Sequence, residues 1–317
     1  MTTTLITGPT GGLGRSTVLS IARRPAADRP DLVLVGRAGA RLEEIAADAR
    51  ALGATVHTVG ADFSSLADVR AAAAQVTELI ASGAVAPLRT LIANAGISPT
   101  DTRRASVDGY EMTFAVNYLA HAQLIADLIA GMVSPARIVL LGSNTYYLNT
   151  PRRILGVAEA VWRDPQELAT PAPAHEEPTT RAAGVAYSNS KLALIYYAHE
   201  LQRHAPVGVD VVVFEPGFMP GTGLSREHGA GMQRIGRVIE KIPGISSPAA
   251  SGPMLASVAL DARWSHLTAG AFVVKNTERE VEPFANDRAR EARLWEATHD
   301  MLAASASGQV AGDQRPA

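Results

Sequence analysis

The 317-residue chain contains no cysteine. That excludes disulfides, thiolate nucleophiles and cysteine-ligated zinc or iron–sulfur sites, and it suits a reducing cytoplasm. Strong charge is also missing. The formal net charge is −2, so no global field draws the chain to nucleic acid or to an anionic membrane. No apolar run is long enough to span a bilayer. The first strand-like run begins almost at Met1, which leaves no room for a signal peptide. Eight histidines are present, yet no two stand four apart. His199 and His204 are five apart and off a shared face, so no metal site is expected. His121 reads as a packing residue, within the fold or at an interface.

Hydrophobic residues make up 47% of the chain, enough for a sizeable core. Apolar runs of strand length alternate with amphipathic, alanine-rich helical stretches. Strands are expected near Thr3–Thr7, Leu32–Gly36, Thr55–Val59, Thr90–Ala93, Arg137–Leu141, Val209–Phe214 and Ala271–Val274. The helices between them would cover both faces of a parallel sheet. The fold class is therefore α/β: a Rossmann-like, doubly wound sheet of seven parallel strands in one domain over residues 1–302. Two segments break the alternation. One, about 148–184, is rich in Pro, Thr, Arg and Glu; the other, about 218–247, is rich in Gly and Arg. Residues 303–317 are small and polar and read as a frayed tail.

The first expected strand runs into Thr7-Gly8-Pro9-Thr10-Gly11-Gly12-Leu13-Gly14, with a helix after it. Glycine permits the tight turn and lets backbone approach a pyrophosphate. The helix start offers unpaired N–H groups and a partial positive charge to the anion. The second strand ends in Val35-Gly36-Arg37. A dinucleotide site selective for NAD carries an acid there for the ribose 2′-hydroxyl. Gly36 leaves that place empty, and Arg37 can pair with a 2′-phosphate, which points to NADP(H). Arg15 and Arg41 could help, though arginines in such places are commonly just solvated.

Downstream, Tyr187-Ser188-Asn189-Ser190-Lys191 puts a phenol and an ammonium four residues apart. On a helix they share a face. A phenol titrates near pH 10, poorly matched to neutral pH, and Lys191 would depress it by charge. Beside a bound nicotinamide, such a pair makes a carbonyl/alcohol oxidoreductase. Taken singly, the pair could be an ordinary helix contact, Ser143 a turn residue at a strand end and Asn117 a polar helix residue. Their order behind the glycine turn argues for a site.

With those residues in hand, the chain resembles the short-chain dehydrogenase/reductase family over nearly its whole length. Thr7 to Gly14 is similar to the family's TGxxxGxG turn. Asp62, in Ala61-Asp62-Phe63-Ser64, is similar to the acid beside the adenine, and Asn94-Ala95-Gly96 to the NAG motif. Asn117, Ser143, Tyr187 and Lys191 fall where the family's catalytic residues fall, and Pro216-Gly217 where its backbone closes over the nicotinamide. The family's carboxamide-binding threonine is displaced here; Thr222 is the nearest residue to carry that role. The resemblance implies that Tyr187 is the general acid, that Lys191 also holds the nicotinamide ribose, and that Asn117 holds a water linking the lysine to solvent.

Within the family, the chain most resembles the branch of protochlorophyllide reductases and retinol-dehydrogenase-like enzymes. Tyr187 follows Ser143 by 44 positions, the long insertion of those reductases. Gly223-Leu224-Ser225-Arg226-Glu227-His228 and the stretches around Ala271-Phe272-Val273 and Leu294-Trp295 are also similar. Phe218 stands where those reductases carry a cysteine, which argues against photochemical chemistry. The resemblance places Tyr146, Tyr147, Trp162, Phe218 and Met219 in or beside segments that wall the substrate pocket. That suits a bulky, lipophilic carbonyl or alcohol substrate in secondary metabolism. Reduction of an activated C=C bond and a non-catalytic NADP-binding regulator are the alternatives. Relatives associate through the helix carrying Tyr187, so a homo-oligomer is implied unless the insertion blocks that face. The insertion begins and ends at the carboxyl edge of the sheet and is expected to form a lid.

Overall fold

The computed structural model describes residues 1–154, 157–219 and 246–308. Most of Phe218–Ser247, including Thr222 and the Gly223–His228 stretch, lies outside them, as do Leu155, Gly156 and the last nine residues.

The first half alternates strand and helix: β1 Thr3–Thr7, α1 Gly12–Ala22, β2 Asp31–Gly36, α2 Ala40–Ala51, β3 Val56–Gly60, α3 Leu66–Ala81 and β4 Leu88–Ala93. A helix, α4, follows in three pieces: Met112–Phe114, a π-helical turn Ala115–Leu119 and an α-helical body Ala120–Leu128. Then come β5 Ala136–Leu141, α5 Thr180–His204, β6 Val209–Glu215, α6 Pro248–Leu260, β7 Ala271–Val274, β8 Thr277–Arg279 and α7 Arg288–Ala306. The last helix thus runs four residues into the segment read as a tail.

Among the described residues the sheet has eight strands in the order β3-β2-β1-β4-β5-β6-β7-β8. Seven are parallel, as the alternation implies, with the expected strand positions matched to within two residues at each end. The eighth, β8, pairs antiparallel to β7 and corrects the count of seven. It is three exposed polar residues, Thr277-Glu278-Arg279, after a turn with Lys275 at φ 59°. So short a run carries no apolar period to read.

Every residue of β1 and β2 is buried, the pattern of parallel strands covered on both faces. Alternate side chains go to opposite layers. Leu5, Val33, Leu91, Ile138 and Val211 pack beneath α3, α4, α5 and α7. Ile6, Leu34, Ile92, Val139 and Val212 pack beneath α1, α2 and α6. The order in which strands are added to the sheet reverses at the β1/β4 boundary, and the crevice outside the carboxyl ends of strands at such a switch point is where doubly wound folds bind ligands.

The 148–184 insertion contains two short helices, Thr150–Ile154 and Pro165–Leu168. Beyond residue 156 it is fastened along α5. Ser188 Oγ donates to Ala158 O at 2.6 Å, and Val161 N donates to Asn189 Oδ1 at 2.8 Å. The Trp162 ring meets Tyr196 edge-on at 4.8 Å. Asp164, the cap of the second helix, pairs with Arg293 of α7 at 2.8 Å. Among the described residues no helix is long and apolar enough to cross a membrane.

Candidate active site

Helices α3 to α7 all start under a side-chain cap: Ser65 on α3, Glu111 on α4, Thr179 on α5, Ser247 on α6 and Asp287 on α7. Helix α1 does not. Its cap is Gly11, with no side chain to satisfy the first N–H groups and no acid in its first turn. A helix end left open in this way suits an anion. The turn before it is tightly fitted. Gly8 has φ 62°, and a Cβ there would meet Ala95 Cα at 2.8 Å. A Cβ on Gly14 would collide with the Gly8 carbonyl and stand 2.7 Å from Asn94 Nδ2. These two glycines thus let the turn pack tightly on itself and on the loop after β4, and the uncapped helix start is the part that fits a pyrophosphate. Gly12 and Leu13 continue the helix start; Gly12 is exposed and Leu13 is buried.

The loop after β4 clamps this turn. Thr7 Oγ1 accepts from Asn94 N at 2.9 Å and Ala95 N at 2.8 Å. Asn94 Nδ2 donates back to Thr7 O at 2.9 Å and Gly8 O at 3.1 Å. Gly96 follows, partly buried, on the same loop. Asp62 is exposed after β3, where its Oδ1 accepts from Ser64 N and Oγ, both at 2.9 Å. Phe63 turns inward.

Gly36 packs against Pro9, and no acid follows β2. A cleft of about 390 Å³ opens beside it, lined by Thr10, Arg15, Arg41, Glu44 and Ile45. Arg37 is exposed at its strand end and is not part of that lining. The two arginines given the lesser weight in the sequence are the ones that face the cleft. Arg15 also pairs with Asp48 at 2.7 Å.

The remaining candidates meet at the carboxyl ends of β5 and β6. Tyr187 and Lys191 lie on the first half of α5, and Ser143 follows β5. The Ser143 side chain stands close enough to the Tyr187 phenol to act on its pKa. Burial pushes the Tyr187 phenol up to about 12; Ser143 pulls it down, and the charge of Glu215 pushes it up. Lys191 is not among the groups that move it. The lysine Nζ instead donates to Leu141 O at 2.8 Å and stands 5.5 Å from the Tyr187 ring centre. Burial pushes Lys191 down to about 7. The expected depression of Tyr187 by lysine charge is therefore corrected: a buried ammonium on a backbone carbonyl has lost the charge advantage that the spacing alone suggested.

Asn117 sits in the π-helical turn of α4 and is fully buried. Its amide is taken up by protein. Oδ1 accepts from Ile97 N at 2.8 Å, and Nδ2 donates to Ile97 O and Ser190 Oγ, both at 3.0 Å. The side chain thus ties the loop after β4 to α5, so any water it serves would have to meet its main-chain carbonyl. Pro216 O accepts from Ser251 Oγ at 2.7 Å, and Gly217 has φ 88° with Ser246 crowding its α-carbon.

Of the expected substrate residues, Tyr146 is only 2% exposed. Its hydroxyl accepts from Glu282 N at 3.0 Å and its ring packs on Phe284 and Phe272, so it anchors the segment. Tyr147 is partly exposed, with the Arg152 guanidinium 4.1 Å over its ring. Phe218 is 53% exposed, and Met219 packs on the α1/α6 side of the sheet.

Glu215 was missed. It is 4% exposed, the nearby backbone of Gly217 and Asn144 favours its carboxylate form, and its Oε2 has no partner among the described residues. Burial pushes its pKa up. The sequence signal is an acid closing the apolar run Val211-Val212-Val213-Phe214, directly before Pro216-Gly217.

A glycine turn clamped by Asn94, a serine beside a tyrosine, and a lysine one turn on form one constellation. The model of the short chain dehydrogenase family matches residues 2–152. A Streptomyces sp. (strain C5) protein, provisionally named daunorubicin C-13 ketoreductase DnrU, is 30% identical over 93% of this chain and 91% of its own. The chain belongs to the short-chain dehydrogenase/reductase family. Protochlorophyllide reductase B of Oryza sativa is 26% identical to this dehydrogenase/reductase over 95% of the chain and 77% of its own length. That likeness agrees with the branch seen in the motifs. The WW domain-containing oxidoreductase of Drosophila melanogaster is 30% identical, and the match spans about half of it (51%) and 71% of this chain. Among solved structures, a Burkholderia cenocepacia short chain dehydrogenase in complex with NADP has a TM-score of 0.60 at 22% identity, covering 86% of this chain and 95% of that one.

Proposed function

We propose that this dehydrogenase/reductase is an NADPH-dependent carbonyl reductase acting on a bulky, mostly apolar ketone or aldehyde. The observation that carries the reading is the convergence of Ser143 and Tyr187 at the carboxyl edge of the sheet, where the serine hydroxyl acts on the phenol's pKa, with Lys191 one helical turn on. When bound, the nicotinamide supplies the hydride. The chain's own residues do the rest. The Ser143 hydroxyl and Tyr187 hold the carbonyl oxygen, where negative charge grows as the carbon is reduced. Tyr187 then gives that oxygen its proton. A phenol held at about 12 stays protonated at neutral pH, which suits an acid in the direction of reduction. Asn117 braces the site through Ile97 and Ser190.

NADPH is favoured over NADH because Gly36 offers no acid, Arg37 follows it, and Arg15 and Arg41 line the adjoining cleft. Asp62 and Phe63, Asn94 to Gly96 and Pro216-Gly217 complete the cofactor contacts, with Thr222 as a further candidate outside the described residues. Tyr147, Phe218 and Met219 remain the substrate-side residues. The ketoreductase name of the Streptomyces relative supports a large ring-bearing ketone made in secondary metabolism, and the lack of cysteine suits a cytoplasmic site of action.

The test is oxidation of NADPH and of NADH against a panel of ketones, aldehydes and enones. A bulky ketone should be reduced with NADPH preferred. Tyr187→Phe should still bind NADPH and lose about 10²–10⁴-fold in turnover. Near wild-type turnover in that variant would remove Tyr187 as the acid. Saturation of the enone C=C bond with its ketone left intact would favour the C=C reductase reading instead.

A further inference from the structure

His121 was read from the sequence as packing. It lies one turn beyond Asn117 on α4, 1% exposed, and both ring nitrogens are engaged. Nε2 is 2.9 Å from Thr7 Oγ1, and Nδ1 is 3.1 Å from the main-chain oxygen of Asn117. The two partners decide where its proton sits. A carbonyl oxygen only accepts, so Nδ1 carries the hydrogen. Thr7 Oγ1 already accepts from Asn94 N and Ala95 N, which fills both lone pairs of a hydroxyl. Its own hydrogen must therefore be donated, and Nε2 must accept it. Each end independently demands the same neutral ring.

We propose that His121 is a positioning residue, fixed as the Nδ1–H tautomer, that fastens the Asn117 carbonyl of the π-helical turn to the Thr7 hydroxyl beneath the dinucleotide turn. One end of this strut holds the hydroxyl that clamps Asn94 and Ala95 against Gly8. The other end holds the carbonyl at the turn where α4 departs from regular helix, with Ala120 N bonded to Ala115 O. The two ends differ in sense, one accepting and one donating, so the ring seats only one way round. The face of Phe63, 5.2 Å from the imidazole, closes its side. The role rests on the proposed NADPH-dependent reading for its consequences, but the tautomer does not.

Two substitutions separate the ends. His121→Gln brings an amide oxygen to the place of Nε2 and keeps the bond to Thr7 while losing the donor to Asn117. His121→Asn brings an amide N–H to the place of Nδ1 and keeps the bond to Asn117 while losing Thr7. NADPH affinity, followed by fluorescence titration, should fall about tenfold in His121→Asn and stay within about threefold in His121→Gln, the loss of one buried hydrogen bond. Turnover of 9,10-phenanthrenequinone at saturating NADPH should show the reverse order. In wild type labelled with ¹⁵N-histidine, one imidazole should show a protonated Nδ1 and a bare Nε2, and that resonance should vanish in both variants. A proton on Nε2 of His121, or equal NADPH losses in the two variants, overturns the proposal. The wild-type spectrum decides even where a variant fails to fold. Failure of wild type to bind NADPH would sink the proposed function while leaving the tautomer to be judged by the spectrum.

Discussion

Glu215 and Tyr187 form an unequal pair of acids in one buried corner. The Glu215 carboxylate raises the phenol's pKa by its charge, against the pull of Ser143. Glu215→Gln keeps a carbonyl oxygen beside Gly217 and Asn144 and removes the charge, so the Tyr187 pKa should fall. Alcohol oxidation needs the phenolate as base. Its kcat/KM should therefore rise with pH at a lower pH in the variant than in wild type. An unmoved profile would uncouple the two residues. His121 gives a second pH dependence. Burial holds its imidazole at about 4, against 6.5 for a free ring. Between pH 6.5 and 4 the unfolded chain takes up a proton that the folded chain refuses, so stability must fall as pH drops through that window. The full effect is about 3 kcal/mol. His121→Gln should flatten the fall of Tm with acid relative to wild type; an unchanged slope would mean that the ring is not the group resisting protonation. Tyr187 and Lys191 stand out in the sequence by their spacing of four, and Ser143 and Asn117 by their order behind the glycine turn. Glu215 and His121 do not, because what singles them out is a neighbour distant in sequence: Tyr187 for one, Thr7 for the other.

At the scale of elements, the strands were legible because parallel strands buried on both faces must be continuously apolar. β8 was not, since an exposed three-residue edge needs no pattern. The insertion was legible as an interruption, but its docking was not. Its contacts come from single residues: Trp162 on Tyr196, Asp164 on Arg293 and Val161 on Asn189. From residue 157 onward it is fastened along α5 like a wall. The Asp164–Arg293 pair is largely exposed and contributes little; the tryptophan carries the anchoring. Trp162→Ala should cost about 2–4 kcal/mol in unfolding free energy, somewhat under the range for a fully buried tryptophan because the side chain is only partly buried. It should also raise KM for a bulky ketone while sparing small ones. A cost below about 0.5 kcal/mol would show that the wall is held elsewhere.

Viewed across the whole molecule, α7 covers the outer side of the helix that carries Tyr187. It lies over α3, α4 and α5 at once. Leu294, Ala297 and Met301 are buried beneath it. Tyr118 and Thr298 share a hydrogen bond at 2.6 Å, and Tyr110 OH and Arg70 Nη2 reach the carbonyls of Met301 and Leu302, each at 3.0 Å. On α5, Trp295 stacks on Tyr197 and His204, while the buried Glu291 pairs with His199 at 2.7 Å and with Arg203. Association through the outer face of α5, the mode the family resemblance implied, would require displacing this helix and breaking the Glu291 contacts with His199 and Arg203. The insertion covers the neighbouring flank through Trp162. The chain is therefore expected to be a monomer at micromolar concentration, by size-exclusion chromatography with light scattering. Cutting the chain after Glu282 should expose the α4 and α5 faces and lead to association or precipitation, because apolar surface that α7 covers would then meet water. A stable dimer of the intact chain, lost on mutation of outward residues of α5 with α7 still in place, would show that the helix leaves that face open after all.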